Sequence, residues 1–444
     1  MPVSIIALLL MLTTFFATAH PSTAGRKHSM TLAPVDGGSG YYARFSNGLP
    51  TSPSYFPIGV WFESVVSQAD VNQDRGAGLN LYVVLTANSN LSLVQTNGMR
   101  TFLQQEEWRN NAVARASPAV SGWALGDEFD MQLSPKAGYD SLNQILGSLP
   151  ADRRLRYSNY GKGVSFWLTD AEAARYVNDF DDVVSDDNYW FTDENICSGT
   201  EGGQLVGGGA DLSPAECHRA ANYGATVRRL RGLESPASSK PVWAFVELGH
   251  PASEGDWPTI TPAQVRAAVW QSLIAGARGI IYFNHSFGGP HQTQHILREG
   301  TSAGSPYAPT RSVVTATDRQ IKDLAGVLNS PTVTSGWSQG PGTTAMVKWD
   351  RGQKRCASKR NRKCKKTKGH LYLFAGSAGS SVTGRFSLPC VGRAKAVVVG
   401  ENRAIRARRG TFSDGFANGN AIHIYRIKGG STCGLARKGR RSAG

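Results

Sequence analysis

The segment Gly122-Trp-Ala-Leu-Gly-Asp127-Glu128-Phe is the strongest constraint on this chain: a run of apolar and small residues that stops abruptly at two acids. Polar and apolar positions do not alternate in it. That is the pattern of a strand buried on both faces, and such strands belong to parallel sheets covered by helices. Pro241-Val-Trp-Ala-Phe-Val-Glu247-Leu-Gly249 repeats the design further along and ends in a single glutamate. Acids at the ends of buried parallel strands gather on one rim of a barrel, where that fold carries its chemistry.

The middle of the chain alternates apolar runs with amphipathic stretches, the βαβ rhythm of a parallel sheet. Strands are predicted over 57–62, 80–86, 99–103, 122–126, 155–159, 181–186, 242–246 and 279–283. Helices are predicted over 134–149 and 261–275, opened by Ser-Pro and Thr-Pro, where a hydroxyl caps and the proline suits the first turn. Eight such units close a barrel, so the expected fold is α/β, a (β/α)8 TIM barrel over 55–330. After a helix near 315–328 the character changes. Short β-branched or alternating runs at 344–350, 370–376, 381–388, 396–400 and 421–427, separated by Gly, Ser and Asn, predict a small antiparallel β-sandwich over 331–428.

The strand count numbers the acids: Glu128 follows strand four and Glu247 ends strand seven. In this the chain resembles glycoside hydrolase clan A, the barrel glycosidases with a general acid/base after strand four and a nucleophile after strand seven. The resemblance covers roughly 55–330 and rests on architecture and two short motifs; it singles out no family within the clan. It implies a retaining glycoside hydrolase acting on a poly- or oligosaccharide. Glu128 would protonate the leaving oxygen and Glu247 would attack the anomeric carbon, with the carboxyls about 5–5.5 Å apart and no metal or organic cofactor. One departure is Asp127, where many clan members have Asn. A carboxylate there either raises the proton affinity of Glu128 or binds a sugar hydroxyl. The ending Gly410-Thr-Phe-Ser-Asp-Gly-Phe with 421–427 is similar to the small sandwich that often follows a clan A barrel.

Other strand ends supply substrate-binding candidates. Strand six runs into Asp186-Asp187-Asn188-Tyr189-Trp190, a mixture of acids, amide and aromatic faces suited to sugar hydroxyls and ring stacking. Of these, Asp187, Tyr189 and Trp190 are the candidates, with a tyrosine placed to orient the nucleophile. Strand one contributes Trp61 and Glu63, and strand eight Asn284 and His285. Trp257 is either an aromatic platform or a core plug. The stretch 188–212, with its glycine-rich part Gly202–Gly209, is too long for an ordinary βα loop and predicts a lid tethered through Cys197 and Cys217.

An apolar run from Val3 to Phe16 followed by Ala17-Thr18-Ala19 predicts a signal peptide over 1–19, although no Lys or Arg precedes the apolar core. The expectation is a secreted, extracellular monomer, not membrane-integral, with an N-terminal extension over 20–54. Six cysteines fall in sequence as Cys197 with Cys217, Cys356 with Cys364 and Cys390 with Cys433, an even number that fits disulfides in an exported chain. Fifteen pairings are open to six cysteines. None has the CxxC spacing of a zinc site.

The net charge of +15 is uneven. Residues 351–444 hold 23 basic and 2 acidic groups, while the remainder holds 25 basic and 31 acidic. Ten of the basic groups lie in the insertion 351–368, and the tail 429–444 is basic as well. Such an arm is either a solvated loop or an attachment to anionic cell-surface polymer. It lacks the interleaved aromatics of a nucleic-acid site. Gly59-Val-Trp61 offers no His-x-His for a metal amidohydrolase, and a copper site at His20 would need a β-sandwich around it. The main rival is a non-catalytic carbohydrate-binding protein on a degenerate barrel.

Overall fold

A computed structural model describes residues 28–252, 259–352, 354–358, 361–366, 369–429 and 433–435. The leader 1–19, Trp257, parts of the insertion 351–368 and most of the tail lie outside the described residues, as do the side chains of Cys356 and Cys364.

Eight parallel strands form the barrel: β1 (Ile58–Trp61), β2 (Leu81–Leu85), β3 (Arg100–Gln104), β4 (Val120–Asp127), β5 (Leu155–Tyr160), β6 (Val183–Asp186), β7 (Ala244–Glu247) and β8 (Ile280–Phe283). Each pairs with its sequence neighbour, β8 pairs with β1, and a bridge from Val184 to Val242 joins the β6 and β7 sides of the ring. The eight predicted strands are all present. β3 runs directly into a short helix, Gln105–Trp108, which accounts for the helix-like Gln-Glu-Glu beside it.

Both faces of these strands are dry. Val60, Tyr82, Leu103, Trp123, Val184 and Val246 pack in the layer shared with the helices. Phe102, Tyr157, Trp243 and Phe245 belong to the lumen, where the Phe102 and Trp243 rings stack with centroids 5.4 Å apart. The lumen is therefore a packed core that supports a floor for the rim above it. Helix Pro262–Ala275 has the predicted Thr261 cap, reciprocated by Gln264. Helix Pro135–Ser148 starts at its proline, but the Ser134 side chain makes no cap bond. The helix expected near 315–328 begins earlier, as Ala308–Leu328, with Pro309 in its first turn. No helix among the described residues is long and apolar enough to cross a membrane.

Antiparallel strands over 332–428 make the second layer system, a larger sheet facing a three-stranded one around Leu371, Leu373, Phe386, Phe412 and Tyr425. The N-terminal extension joins it: Leu32–Ala33 pairs with Thr332–Val333, and His28–Met30 pairs with Cys433–Leu435. Disulfides Cys197–Cys217 and Cys390–Cys433 are formed. The sandwich docks on helix Pro262–Ala275, where Trp270 stacks on Phe374 and Gln271 donates to the Ser377 carbonyl at 2.7 Å. It thus leans on the outer helical wall.

One buried acid makes stability testable. Asp318 accepts from the Tyr282 hydroxyl at 2.7 Å, and burial raises its pKa to about 8, so it is folded mainly as the neutral acid at pH 7. Because the folded pKa lies above the unfolded one, its contribution is full in acid and is lost as pH rises from about 4 through about 8. Asp318→Asn is expected to flatten the fall of Tm with pH across that window in parallel melts.

Candidate active site

β4 carries its acids out of the barrel in a specific way. Asp127 closes the strand, and Glu128 then takes a left-handed backbone (φ 53°, ψ 34°) that caps the short helix Phe129–Gln132. A non-glycine residue in that conformation is strained, which is common where a side chain must be aimed. Asp130, two residues on, fixes the loop by accepting from the Val164 amide at 2.7 Å and the Gly161 amide at 3.1 Å. Asp127 is held by the Asn159 amide at 3.0 Å, Asn159 by the Ser185 hydroxyl at 2.6 Å, and Ser185 lies 2.6 Å from the Tyr157 hydroxyl.

Gly161 is where the wall comes closest. A Cβ there would stand 2.4 Å from the Met131 sulfur, 3.4 Å from Glu128 Oε1 and 3.5 Å from Asp187 Oδ1. The bare backbone therefore lets two carboxyls from different strands approach. Asp187 is half-buried and accepts from the Tyr189 hydroxyl at 3.0 Å through Oδ2, while its Oδ1 is buried.

The protonation states follow from this crowding. Desolvation, then the charges of Asp127 and Asp130, push Glu128 up to about 7; Asp187 and the Lys162 ammonium act the other way. Burial, then Glu128 and Asp127, drive Asp187 well above the usual carboxylate range. Asp127 faces the open cleft, yet the packed rim around its carboxyl strips enough water to raise its pKa too. Lys162 lies 2.8 Å from both Asp193 and Glu201, tying the loop after β6 to the end of β5.

These groups wall a cleft of about 740 Å³ over the C-terminal rim. Asp127, Glu128, Asp187, Tyr189, Trp61 and Phe283 face it, with Thr192 to Asn195 as a polar margin. Glu247 does not line this cleft. It is wholly buried, accepting from the Tyr223 hydroxyl and, at 3.4 Å, from the Phe191 amide; burial pushes it up to about 7. The tyrosine on Glu247 is therefore Tyr223, from helix Ala220–Leu233, whereas Tyr189 serves Asp187. Sequence reading missed Tyr223 because it sits inside a helix, far from any strand end in the sequence, and only the fold brings it to Glu247.

Three other candidates are placed away from the cleft. Trp190 is fully buried, donates to Thr226 at 3.0 Å and packs on Gly202, so it plugs the loop instead of presenting a stacking face. Glu63 and Asn284 bond to each other and are both buried: Glu63 pairs with Arg298 at 3.2 Å and His295 at 2.8 Å, and Asn284 accepts from the Leu297 amide. That network also holds Asp74, 2.7 Å from Arg298. Arg298→Met, which leaves Glu63 and Asp74 buried without their cation, is expected to cost about 3–5 kcal/mol in denaturant unfolding. His285 is buried at the rim and kept neutral, its pKa lowered to about 4 by desolvation. Within the predicted lid, Gly202 and Gly203 are buried in the short helix Gly202–Val206, whereas Val206 and residues 208–210 are exposed.

No protein-family description and no curated protein matches this chain. Solved structures do. A glycoside hydrolase family 5 protein from Bacteroides vulgatus superposes with a TM-score of 0.50 at 12% identity, covering 86% of this chain and 90% of that one. Another, described as a glycoside hydrolase, gives 0.49 at 12% identity over 90% and 97%. An endo-beta-1,4-mannanase from Thermotoga petrophila gives 0.40 at 9% over 84% and 91%. At 12% identity the likeness to the family 5 structure is one of fold alone, in keeping with the eight-stranded parallel barrel of this chain.

Proposed function

We propose that this protein is a secreted, retaining glycoside hydrolase of clan A type. The observation that carries the reading is Glu128: a carboxyl facing an open cleft on the C-terminal rim of a barrel, holding its proton near neutrality because burial strips its water and two further acids stand beside it. That is what protonation of a leaving alkoxide requires. Glu128 acts as general acid, then as base on water once the partner carboxylate is glycosylated and its charge is gone. Glu247 is the partner in this reading. Its place at the end of β7 and the Tyr223 hydroxyl support the role, and attack requires the Phe191 segment above it to lift.

A second reading has its own observation: Asp187 lies in the cleft with Glu128, where Glu247 does not. Under it Asp187 is the nucleophile and Glu247 a structural acid. Asp127 and Tyr189 bind sugar hydroxyls, and Trp61 gives an apolar face.

The test is reducing-sugar release from plant, fungal and bacterial-wall glycans by wild type, Glu128→Gln and Glu247→Gln. Release by wild type and its loss in both variants, with melting unchanged, supports the two-glutamate hydrolase. Binding to glycan without release would support a carbohydrate-binding protein instead.

Export and the basic arm complete the proposal. Two disulfides fit an oxidising compartment. In this reading the basic residues of 351–368 attach the monomer to anionic cell-wall polymer. Deleting them is expected to abolish salt-sensitive pull-down by such polymer and to leave turnover of a small soluble substrate unchanged.

A further inference from the structure

The acid-lined cleft has an apolar annex. A second cavity of about 250 Å³ adjoins it, sharing Trp61, Asp127, Phe283 and Phe287 as a common boundary. The two differ in chemistry because they stand over different strands. The polar cleft draws its acids from β4 and the loop after β6. Phe62, Val84, Ala124 and His285 complete the annex, which lies over β1 to β4 and β8; apart from neutral His285, its polar side chains are Gln104 and Asp127.

The annex is built at a conformational cost. Phe62 and Val84 both have left-handed backbones, with φ of 55° and 57°. For a β-branched residue within a strand this is exceptional, and such strain persists only where the surrounding structure enforces it. Its effect is to turn Phe62 outward: the ring is 45% exposed, and it lies 6.0 Å from His285. Phe287, 41% exposed, stacks on the other partner of this shelf, its centroid 5.5 Å from His285 with the planes 15° apart. Large apolar side chains are thus left in water at the annex.

We propose that the annex binds an apolar aglycone, so that the substrate is an amphiphilic glycoside with its sugar among the acids and an aromatic or short alkyl leaving group on the Phe62–His285–Phe287 shelf. This rests on the hydrolase reading and names its substrate class. A second sugar would fit poorly, since the annex has too few polar partners for its hydroxyls, and a hydroxyl buried unpaired loses its bonds to water without replacement. Asp127, shared by both cavities, puts the adjacent Glu128 at the boundary, where the scissile oxygen would lie. There the anomeric C–O bond breaks, the aglycone leaves as an alcohol carrying the Glu128 proton, and the anomeric carbon bonds to the nucleophile carboxylate until water replaces it.

The experiment has two independent arms. In the first, 2-naphthol, a free aglycone, is titrated against the full-length protein by saturation-transfer NMR and by quenching of tryptophan fluorescence. Binding is expected, weakened about tenfold or more by Phe62→Ala. Failure of 2-naphthol to bind wild type, or equal binding to a folded Phe62→Ala, overturns the annex assignment whatever the enzyme hydrolyses. In the second, naphthyl and methyl glycosides are compared across a sugar panel. A preference for the naphthyl compound that exceeds the difference in their spontaneous hydrolysis, and that shrinks in Phe62→Ala, supports the proposal; no such preference overturns it. Naphthol binding with no hydrolysis of any glycoside or glycan overturns the hydrolase reading and the aglycone assignment with it, while the apolar site stands.

Discussion

Glu128→Gln is expected to lower kcat/KM about a hundred- to ten-thousandfold on a glycoside with an alkoxide leaving group, with little change in folding. The side chain keeps its size, and its backbone amide still donates to the Asn159 carbonyl at 3.0 Å. What is lost is a proton at the scissile oxygen. The leaving group therefore decides the size of the effect. An aryl glycoside whose phenolate departs unaided should lose far less in the first step and then stall in the second, where the same residue must act as base. The pH profile gives a sharper sign. With Glu128 raised to about 7, the wild-type rate should fall as pH rises through that value, because the acid form disappears. Glu128→Gln should lose that alkaline limb while keeping any acid limb. A limb retained in the variant would assign the proton donor elsewhere, with Asp127 and Asp187 the neighbours to examine.

Much of this architecture was legible because burial on both faces leaves a clear signature. Runs such as Trp123 to Gly126 and Val242 to Val246 have no polar face to give water, so they read as barrel strands, and the acids that end them read as rim residues. Gln-Glu-Glu after β3 was ambiguous for a physical reason: strand and helix follow each other without a loop. Position at a strand end did not by itself decide exposure. Asp127 and Glu128 reach the cleft, whereas Glu63 and Asn284 at equivalent ends fold into an ion network with Arg298, a residue remote in sequence. Trp190 likewise turned inward, because Gly202 offers a flat backbone for its ring to pack on. These outcomes depend on pairings across tens to hundreds of residues, to which local pattern is blind. The strained Phe62 and Val84 were equally hidden, since neither is a residue type that announces a left-handed backbone.

The identity of the nucleophile separates the two readings of the site most sharply, and the alanine variants should show it. Removing a nucleophilic carboxylate is expected to reduce turnover by at least as much as removing the acid, because no covalent intermediate can form. Glu247→Ala should then be partly rescued by azide, which enters the space vacated and attacks the anomeric carbon to give a glycosyl azide of inverted configuration. Burial makes this demanding. Glu247 is closed off by the Phe191 amide and the Tyr223 hydroxyl, so rescue there also requires the loop after β6 to open in the substrate complex. Tyr223→Phe gives an independent reading. It removes a hydroxyl from a carboxylate that must ionise, so if Glu247 attacks, the acid limb of the pH profile should move upward. If Asp187 attacks instead, azide should rescue Asp187→Ala, Glu247→Ala should mainly lower Tm, and Tyr189→Phe should be the variant that shifts the acid limb. The outcomes are opposite for the two carboxylates because each has its own tyrosine, 3.0 Å from Asp187 in one case and from the helix before β7 in the other.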